Sequence, residues 1–286
     1  MDNSRNAATT NLPAWDALAR MDDDALPLLG TALLIARDEY PELQPGPYDA
    51  MVQGYVEAVR VEVQAQDSAP ARMAVINRFL FDEVGFGGNN EAYSDPRNSY
   101  LNDVFERKLG IPISLAVVQM EIARRLDVPL DGISFPGHFL VRLPVDDGIL
   151  VMDPYNKGRS LSADELRDRV SVHCGGQSPD DAELLHILAP ATHRMILLRM
   201  LRNLKALYAD RNDWERVARS SDRLLKLAPS LGEEVRDRGL AYLKLGHVAG
   251  ARDDLTRYLQ VQPEAPDVEA IRSLLIEATG KTQRLN

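Results

Sequence analysis

The last third of the chain repeats itself at a fixed spacing. Three residue types recur at an offset of 34 residues: Tyr208 and Tyr242, Leu225 and Leu259, and Pro229 and Pro263. Each copy has apolar residues at helical spacing and ends at a proline, which is typical of paired helices followed by a turn. Two unrelated helical hairpins are the alternative, but three matches at one offset favour a true repeat.

The period and the Tyr…Pro pattern resemble tetratricopeptide repeats, whose paired helices stack into a curved array. The resemblance implies an all-α repeat domain over residues 185–286. Gly246 and Ala251 are small residues that would let paired helices approach closely, and the helix after Pro266 would cap the stack. A concave stack suits an extended or helical ligand, so a protein or peptide partner is expected there.

Length and charge limit the remaining possibilities. The 286 residues are more than one core normally holds, so a second domain is expected. The 33 basic and 43 acidic residues give a net charge of −10, which disfavours nucleic acid and membrane as partners. The single cysteine, Cys174, excludes a disulfide framework and a cysteine-rich zinc site. With an N-terminus unlike a signal peptide, these features predict a soluble, cytoplasmic protein without a cofactor.

The hydrophobic period changes ahead of the repeats. Helical spacing predicts helices at 26–40, 48–65 and 69–84, followed by a long loop at 85–100. Another helix is predicted from Ser114 to Leu126. Next, "GISFPGHFLVRLPV" and "GILVMDPY" have the pattern of strands, and the "DDG" between them is typical of a hairpin. A helix and two antiparallel strands are therefore expected within a domain at 13–175, with a hinge at 174–183.

Ser114, His138 and Asp153 are the candidate catalytic residues. Nucleophilic catalysis needs a base within hydrogen-bond reach of the nucleophile and an acid that orients the base. Ser114 lies in the first turn of the predicted helix, and the hairpin would make His138 and Asp153 cross-strand neighbours. The alternative is that all three are structural: Ser114 caps a helix, His138 is a polar residue at a strand end, and Asp153 begins a turn. Arg142 is either a partner of Asp153 or of an acidic substrate, or a solvated residue at the edge of the strand, which is favoured.

The stretch "RFLFDEVGFGGN…DPRNSYLNDVFERKLGIPISLAVV…GISFPGHFLVRL…DPYNKG" resembles the bacterial SirB-type family. Members of that family join a transglutaminase-like domain to tetratricopeptide repeats. The resemblance implies an α+β, papain-like transglutaminase core, a helix packed on an antiparallel sheet, with N-terminal helices and a Cys–His–Asp triad. His138 and Asp153 match the family's histidine and aspartate motifs. Pro112 falls in the position of the cysteine, and proline has no nucleophilic atom.

The polar segment before this helix is a candidate for substrate binding. Asn98, Ser99 and Asn102 match the family signature and would line a cleft with His138, next to Pro112. The alternative is loop architecture, with Asx turns and a helix cap. Cys174 lies away from the motif and is expected to be an ordinary thiol. The remaining histidines lack ligand spacing, so no metal site is predicted.

Two functions follow from these features. The first is a cytoplasmic regulatory protein, in which a cysteine-free transglutaminase-like core is joined to repeats that bind a protein partner. The second is a hydrolase or acyltransferase that uses Ser114, His138 and Asp153 on a peptide or amide substrate. A helical scaffold without a cleft is the third possibility.

Overall fold

The protein is described by a computed structural model that covers residues 12–173 and 175–283, apart from the side chains of Asp24 and of residues 279–283. The chain forms two compact units. Asp22–Leu197 belongs to the first unit, and Ala14–Met21, which carries the short helix α1 (Trp15–Leu18), belongs to the second with the residues from Leu198 onward. The loop predicted as a hinge, 174–183, falls within the first unit, since Leu184 and Leu188 beyond it pack into that unit's core.

Helices come first in the first unit. They are α2 (Leu28–Arg37), α3 (Gly46–Gln64) and α4 (Ala69–Asn77), followed by a π-helical turn at Arg78–Glu83. The buried stripe of α3 consists of Val52, Val56, Val59 and Val63, which lie on one face at helical spacing. A short parallel ladder then joins β1 (Gly87–Gly88) to β2 (Leu109–Gly110), with α5 (Leu101–Arg107) between them in sequence. The three helices predicted before residue 85 are confirmed.

The centre of the first unit is a buried helix beside a four-stranded sheet. Helix α6 (Pro112–Arg125) is buried along Pro112–Ala123. The strands are β3 (Asp131–Ile133), β4 (Leu140–Val145), β5 (Gly148–Asp153) and β6 (Arg159–Leu161), antiparallel in that order. The "DDG" hairpin joins β4 to β5 as predicted. The strand predicted before it is divided, because residues 134–139 leave the sheet as a turn.

Two further helices complete the core of the first unit. Helices α7 (Ala163–His173) and α8 (Asp181–Ile187) bring four leucine and valine side chains against the sheet. This buried cluster comprises Leu166, Val170, Leu184 and Leu188 with Ile133, Phe135, Leu140, Val151 and Leu161. Helix α7 therefore has a fixed position beside the end of β5, where Asp153 lies.

The described elements of the second unit are all helical. The chain continues through α9 (His193–Asp210), within which the division of the units falls, to α10 (Trp214–Leu227), α11 (Gly232–Lys244), α12 (Val248–Val261) and α13 (Val268–Gln283). The close approach of α11 and α12 depends on Gly239, since a Cβ atom there would lie 2.9 Å from Leu255. The predicted role of Gly246 is wrong: it has open space around it, and its φ of +76° allows the turn that ends α11.

No helix among the described residues is both long and apolar enough to span a lipid bilayer.

Candidate functional site

His138 and Asp153 lie at the same edge of the sheet. His138 is in the turn before β4, closed by a hydrogen bond from its N–H to the Phe135 carbonyl oxygen (3.1 Å), and Gly137 has a φ of +66°. Asp153 ends β5, the antiparallel neighbour of β4, so the two residues face each other diagonally. The His138 Nε2 atom lies 2.8 Å from the Asp153 Oδ1 atom. The structure thus brings these two candidate residues together.

The Asp153 carboxylate is fully buried and has several donors. Besides His138, Oδ1 accepts hydrogen bonds from the backbone N–H groups of Tyr155 (3.1 Å) and Asn156 (3.4 Å). Oδ2 accepts from Asn156 Nδ2 (2.7 Å) and from the Arg169 guanidinium (3.0 Å). Burial raises the pKa of the Asp153 carboxyl, but the bond and charge of His138, with the bonds from Asn156 and Arg169, lower it further, to about 2.

The low pKa of Asp153 indicates that the proton shared by the two side chains lies on the histidine nitrogen. Asp153 is ionised at neutral pH, so its oxygen accepts and the His138 Nε2–H donates. In a neutral imidazole, Nδ1 is then the acceptor nitrogen. A base that takes a proton from a nucleophile needs this tautomer. The pair is therefore oriented as in a catalytic triad, although Arg169 shares the carboxylate.

One aromatic ring, that of Tyr155, packs against His138. The Tyr155 ring lies edge-to-face with His138 (6.2 Å between centroids) and with Tyr93 (5.9 Å). The Tyr155 hydroxyl donates a hydrogen bond to Asn90 Oδ1 (3.0 Å), which fixes the ring. Gly88 lies beneath it, and a Cβ atom there would come within 2.5 Å of the ring. Burial, followed by Tyr93 and Asp153, raises the pKa of Tyr155.

The Ser114 side chain forms hydrogen bonds with backbone atoms inside the protein. Its side chain is buried, and its hydroxyl donates to the carbonyl oxygen of Asn98 (2.6 Å), with that of Ile111 at 3.0 Å. The same oxygen accepts from the Ile111 N–H (3.1 Å), as in a helix cap. Gly110 leaves room for this contact, since a Cβ atom there would lie 2.7 Å from Ser114 Oγ. In the described part of the chain these partners are all backbone atoms, and none is the His138 ring.

Pro112 is the first residue of α6 and is buried. Its fixed φ and its missing N–H suit that position, where the N–H would have no helical acceptor. The side chain has no group that can attack a carbonyl carbon. The residue predicted to take the place of the family's cysteine therefore starts the helix.

Asn98 is a centre of hydrogen bonds within the loop. Its side chain is fully buried. Its Nδ2 donates to the carbonyl oxygens of Ala92 (2.7 Å) and Tyr93 (3.1 Å), and its Oδ1 accepts from Asn89 Nδ2 (3.0 Å). Ser99 and Asn102 are buried as well, and the Asn102 Oδ1 atom has no partner in the described residues. These contacts give Asn98 a structural role, while substrate binding by the three residues stays a prediction.

Several residues of the site were missed from the sequence. Arg169 is the basic partner of Asp153, and it lies on a helix without any motif. Arg142 is not that partner: its Nη1 donates to the Leu188 carbonyl oxygen (2.7 Å). Asn156 could have been found, because it follows Asp153 directly in "DPYN". Cys174 lies outside the described residues, among which no cluster of three or more potential metal ligands occurs.

Two family models match the chain. Residues 47–202 match a model described as the transglutaminase-like superfamily. Residues 204–276 match a tetratricopeptide repeat model. The prediction of a mixed α+β transglutaminase-like region with an antiparallel sheet, followed by an all-helical repeat region, is thereby confirmed.

Three curated relatives match over most of their lengths. A UPF0162 protein of Xylella fastidiosa (strain 9a5c) is 60% identical over 270 residues, which cover 94% of this chain and 96% of that protein. The UPF0162 protein PA3419 of Pseudomonas aeruginosa is 30% identical, with 90% and 93% covered. The UPF0162 protein YchA of Escherichia coli (strain K12) is 32% identical, with 68% and 71% covered.

Proposed function

This chain belongs to the UPF0162 family, and we propose that it acts as a regulatory protein that binds a protein partner. Its transglutaminase-like region carries the His138–Asp153 pair without a nucleophile, and its repeats bind the partner. A cytoplasmic location and the SirB-type label are parts of this proposal, in accord with the single cysteine and the quoted motif.

The observation that carries the proposal is the hydrogen bonding of Ser114. This residue is the candidate nucleophile of the motif, and its buried hydroxyl is bound to backbone atoms of Asn98 and Ile111. Freeing it would break the cap of α6 and leave buried polar atoms of the backbone without a partner. Pro112, in the same first turn of α6, offers no replacement, because its side chain has no nucleophilic atom. These contacts support a site without acyl-transfer chemistry.

A hydrolase or acyltransferase is the second candidate, and one observation favours it. The 2.8 Å contact between His138 and Asp153 gives the imidazole the tautomer of a general base. In this alternative Ser114 would have to turn away from Asn98 when a substrate binds. The two candidates therefore differ in whether the Ser114 hydroxyl ever becomes reactive.

A fluorophosphonate probe separates them, because it labels only serine side chains that a base activates. We expect no labelling of the full-length wild-type chain under conditions in which a known serine hydrolase is labelled fully. Labelling that disappears in both Ser114→Ala and His138→Ala would establish the enzyme and exclude our proposal.

Partner binding is tested by photo-crosslinking within cells. A photoreactive phenylalanine analogue is introduced at Ala206, an exposed residue of α9, in the full-length chain. The control carries it at Val61, an exposed residue of α3. We expect a discrete crosslinked protein from position 206 and none from position 61. Equal or absent crosslinking at both positions would contradict partner binding by the repeats.

A further inference from the structure

Strand β1 of the first unit has an open edge. Its ladder with β2 uses the residues on either side of Gly88. The Gly87 N–H donates to the Lys108 carbonyl oxygen (2.9 Å), and the Asn89 N–H donates to the Gly110 carbonyl oxygen (3.1 Å). Because successive residues of a strand direct these groups to opposite edges, the N–H and C=O of Gly88 point away from β2. No other described strand pairs with β1.

The backbone groups of Gly88 are unpaired. The residue is partly exposed, and neither its N–H nor its C=O has a hydrogen-bond partner in the described part of the chain. Backbone groups close to other protein atoms are normally paired. An unpaired strand edge is a template on which another extended chain can add, through main-chain hydrogen bonds.

The sequence of β1 leaves room for a second backbone. Packing requires the glycine at position 88, because a Cβ atom there would come within 2.5 Å of the Tyr155 ring. Packing does not require the glycine at position 87, since a Cβ atom there would have no other atom within 4 Å. Glycine weakens a strand and often marks a place where another backbone approaches closely. The pair Gly87–Gly88 therefore favours backbone pairing at this edge.

Two aromatic rings lie where a side chain of the added strand would point. Residues directly opposite each other in an antiparallel pair direct their side chains to the same face. The Cβ direction of Gly88 leads to the Tyr155 ring, so the opposing residue of a ligand would face this ring as well. Tyr155 contacts His138 (6.2 Å between centroids) and Tyr93 (5.9 Å), and Tyr93 remains 52% exposed. An aromatic or large apolar side chain suits this position.

We propose that an extended peptide segment adds to β1 as an antiparallel strand. One residue of the segment pairs with Gly88, and its aromatic or large apolar side chain packs against Tyr155 and Tyr93, beside His138. The inference goes beyond the proposed function, which assigns the partner to the repeats, because it places a separate peptide site in the first unit.

The Gly88 amide itself reports on the pairing. Gly88 and Gly176 are the two glycines of the sequence that directly follow another glycine. When full-length protein carries glycine with NMR-active carbonyl carbon and nitrogen isotopes, these two amides are selected by a carbonyl-filtered spectrum. The Gly176 N–H already donates to the Ser171 carbonyl oxygen (2.8 Å), so its signal is the internal control. Gly175→Ala removes the Gly176 signal from this spectrum and thereby assigns both.

The probe is a capped pentapeptide of threonine with a central phenylalanine. We expect it to move the Gly88 amide proton downfield with saturation, because this proton gains an acceptor. The dissociation constant should be about 1 mM, as for two backbone hydrogen bonds and one aromatic contact. The Gly176 signal should not move.

Two matched controls test the two parts of the contact. A copy of the peptide with every backbone nitrogen methylated has no N–H for the Gly88 carbonyl oxygen, and it should bind at least about tenfold more weakly. Tyr93→Ala should weaken the unmodified peptide about fivefold. Val61→Ala, at an exposed residue of α3, should leave its affinity unchanged.

An unchanged Gly88 signal at about 10 mM peptide, ten times the expected dissociation constant, would overturn the inference. Equal affinities of the two peptides, or an equal shift of the Gly176 signal, would overturn it as well. These outcomes leave the proposed function in place, since the crosslink from position 206 tests the repeats separately.

Discussion

At the scale of single residues, the candidate site is defined by the partners of its buried polar atoms. His138 and Asp153 pair with each other, and Arg169 occupies the remaining side of the carboxylate. Ser114 is paired with the backbone of Asn98 and Ile111 instead. Ser114 and His138, two candidate residues of one site, therefore make these hydrogen bonds with different partners.

The first residue-scale prediction concerns Ser114. Ser114→Ala removes the partner of a buried carbonyl oxygen and of a backbone N–H, so we expect a loss of about 1–3 kcal/mol in the free energy of unfolding. Urea denaturation of the full-length variant measures it. Ser160→Ala, at an exposed residue of β6, should change stability by less than about 0.5 kcal/mol. A Ser114 variant as stable as this control would contradict the structural role of the hydroxyl.

The second residue-scale prediction is a dependence on pH. The pKa of Asp153 falls from 3.8 to about 2 on folding, so its ionised form stabilises the folded state. This contribution is complete above about pH 5 and decreases as the pH falls toward 2. Asp153→Asn should therefore cost about 2 kcal/mol at pH 7 and roughly half of that at pH 3. Chemical denaturation at both values tests this, and an equal cost at both would contradict it.

At the scale of elements, the sequence predicts what local patterns determine. Apolar spacing predicts the early helices and α6, the "DDG" sequence predicts the β4–β5 hairpin, and the 34-residue period predicts the repeat helices. Helix α7 begins with a cap of local residues, in which the Glu165 N–H donates to Ser162 Oγ (3.3 Å). The turn at 134–139 was not predicted, because "SFPGHF" continues the apolar pattern of a strand.

Contacts between distant elements are the part that the sequence does not give. Arg169 reaches Asp153 from α7, and nothing in the local pattern of α7 marks this residue. The capping role of Ser114 depends on Asn98, a residue in an earlier loop. Likewise, the prediction that Gly246 packs against a paired helix is wrong. Gly246 lies in the turn after α11, and the glycine that faces α12 is Gly239, within α11. Each of these depends on tertiary packing.

The element-scale prediction compares two helical glycines. Gly239→Val would place a branched side chain against Leu255 and should destabilise the protein by about 1–3 kcal/mol. Gly54→Ala lies in α3 with open space around it and should stabilise by about 0.5–1 kcal/mol, because alanine favours helix. Thermal or urea unfolding gives both signs. A Gly239→Val variant as stable as the wild type would contradict the packing of α11 on α12.

At the scale of the whole molecule, the chain joins a transglutaminase-like region to a region of helical repeats. The first unit holds His138 and Asp153 in contact, and Pro112, which the motif resemblance places at the position of the nucleophile, begins α6. The second unit is a set of helical repeats with an apolar groove. Under the proposed function, the site with its histidine–aspartate pair serves in binding, and the repeats supply a surface for the partner.

The central claim is that this site lacks only its nucleophile, and a cysteine at position 112 tests it most directly. Pro112→Cys is made together with Cys174→Ser, and the rate of alkylation by iodoacetamide is measured at pH 6, with and without His138→Ala. A nearby imidazole base promotes formation of the thiolate, so we predict alkylation at least about tenfold faster when His138 is present. An alkylation rate that does not depend on His138 would contradict the claim.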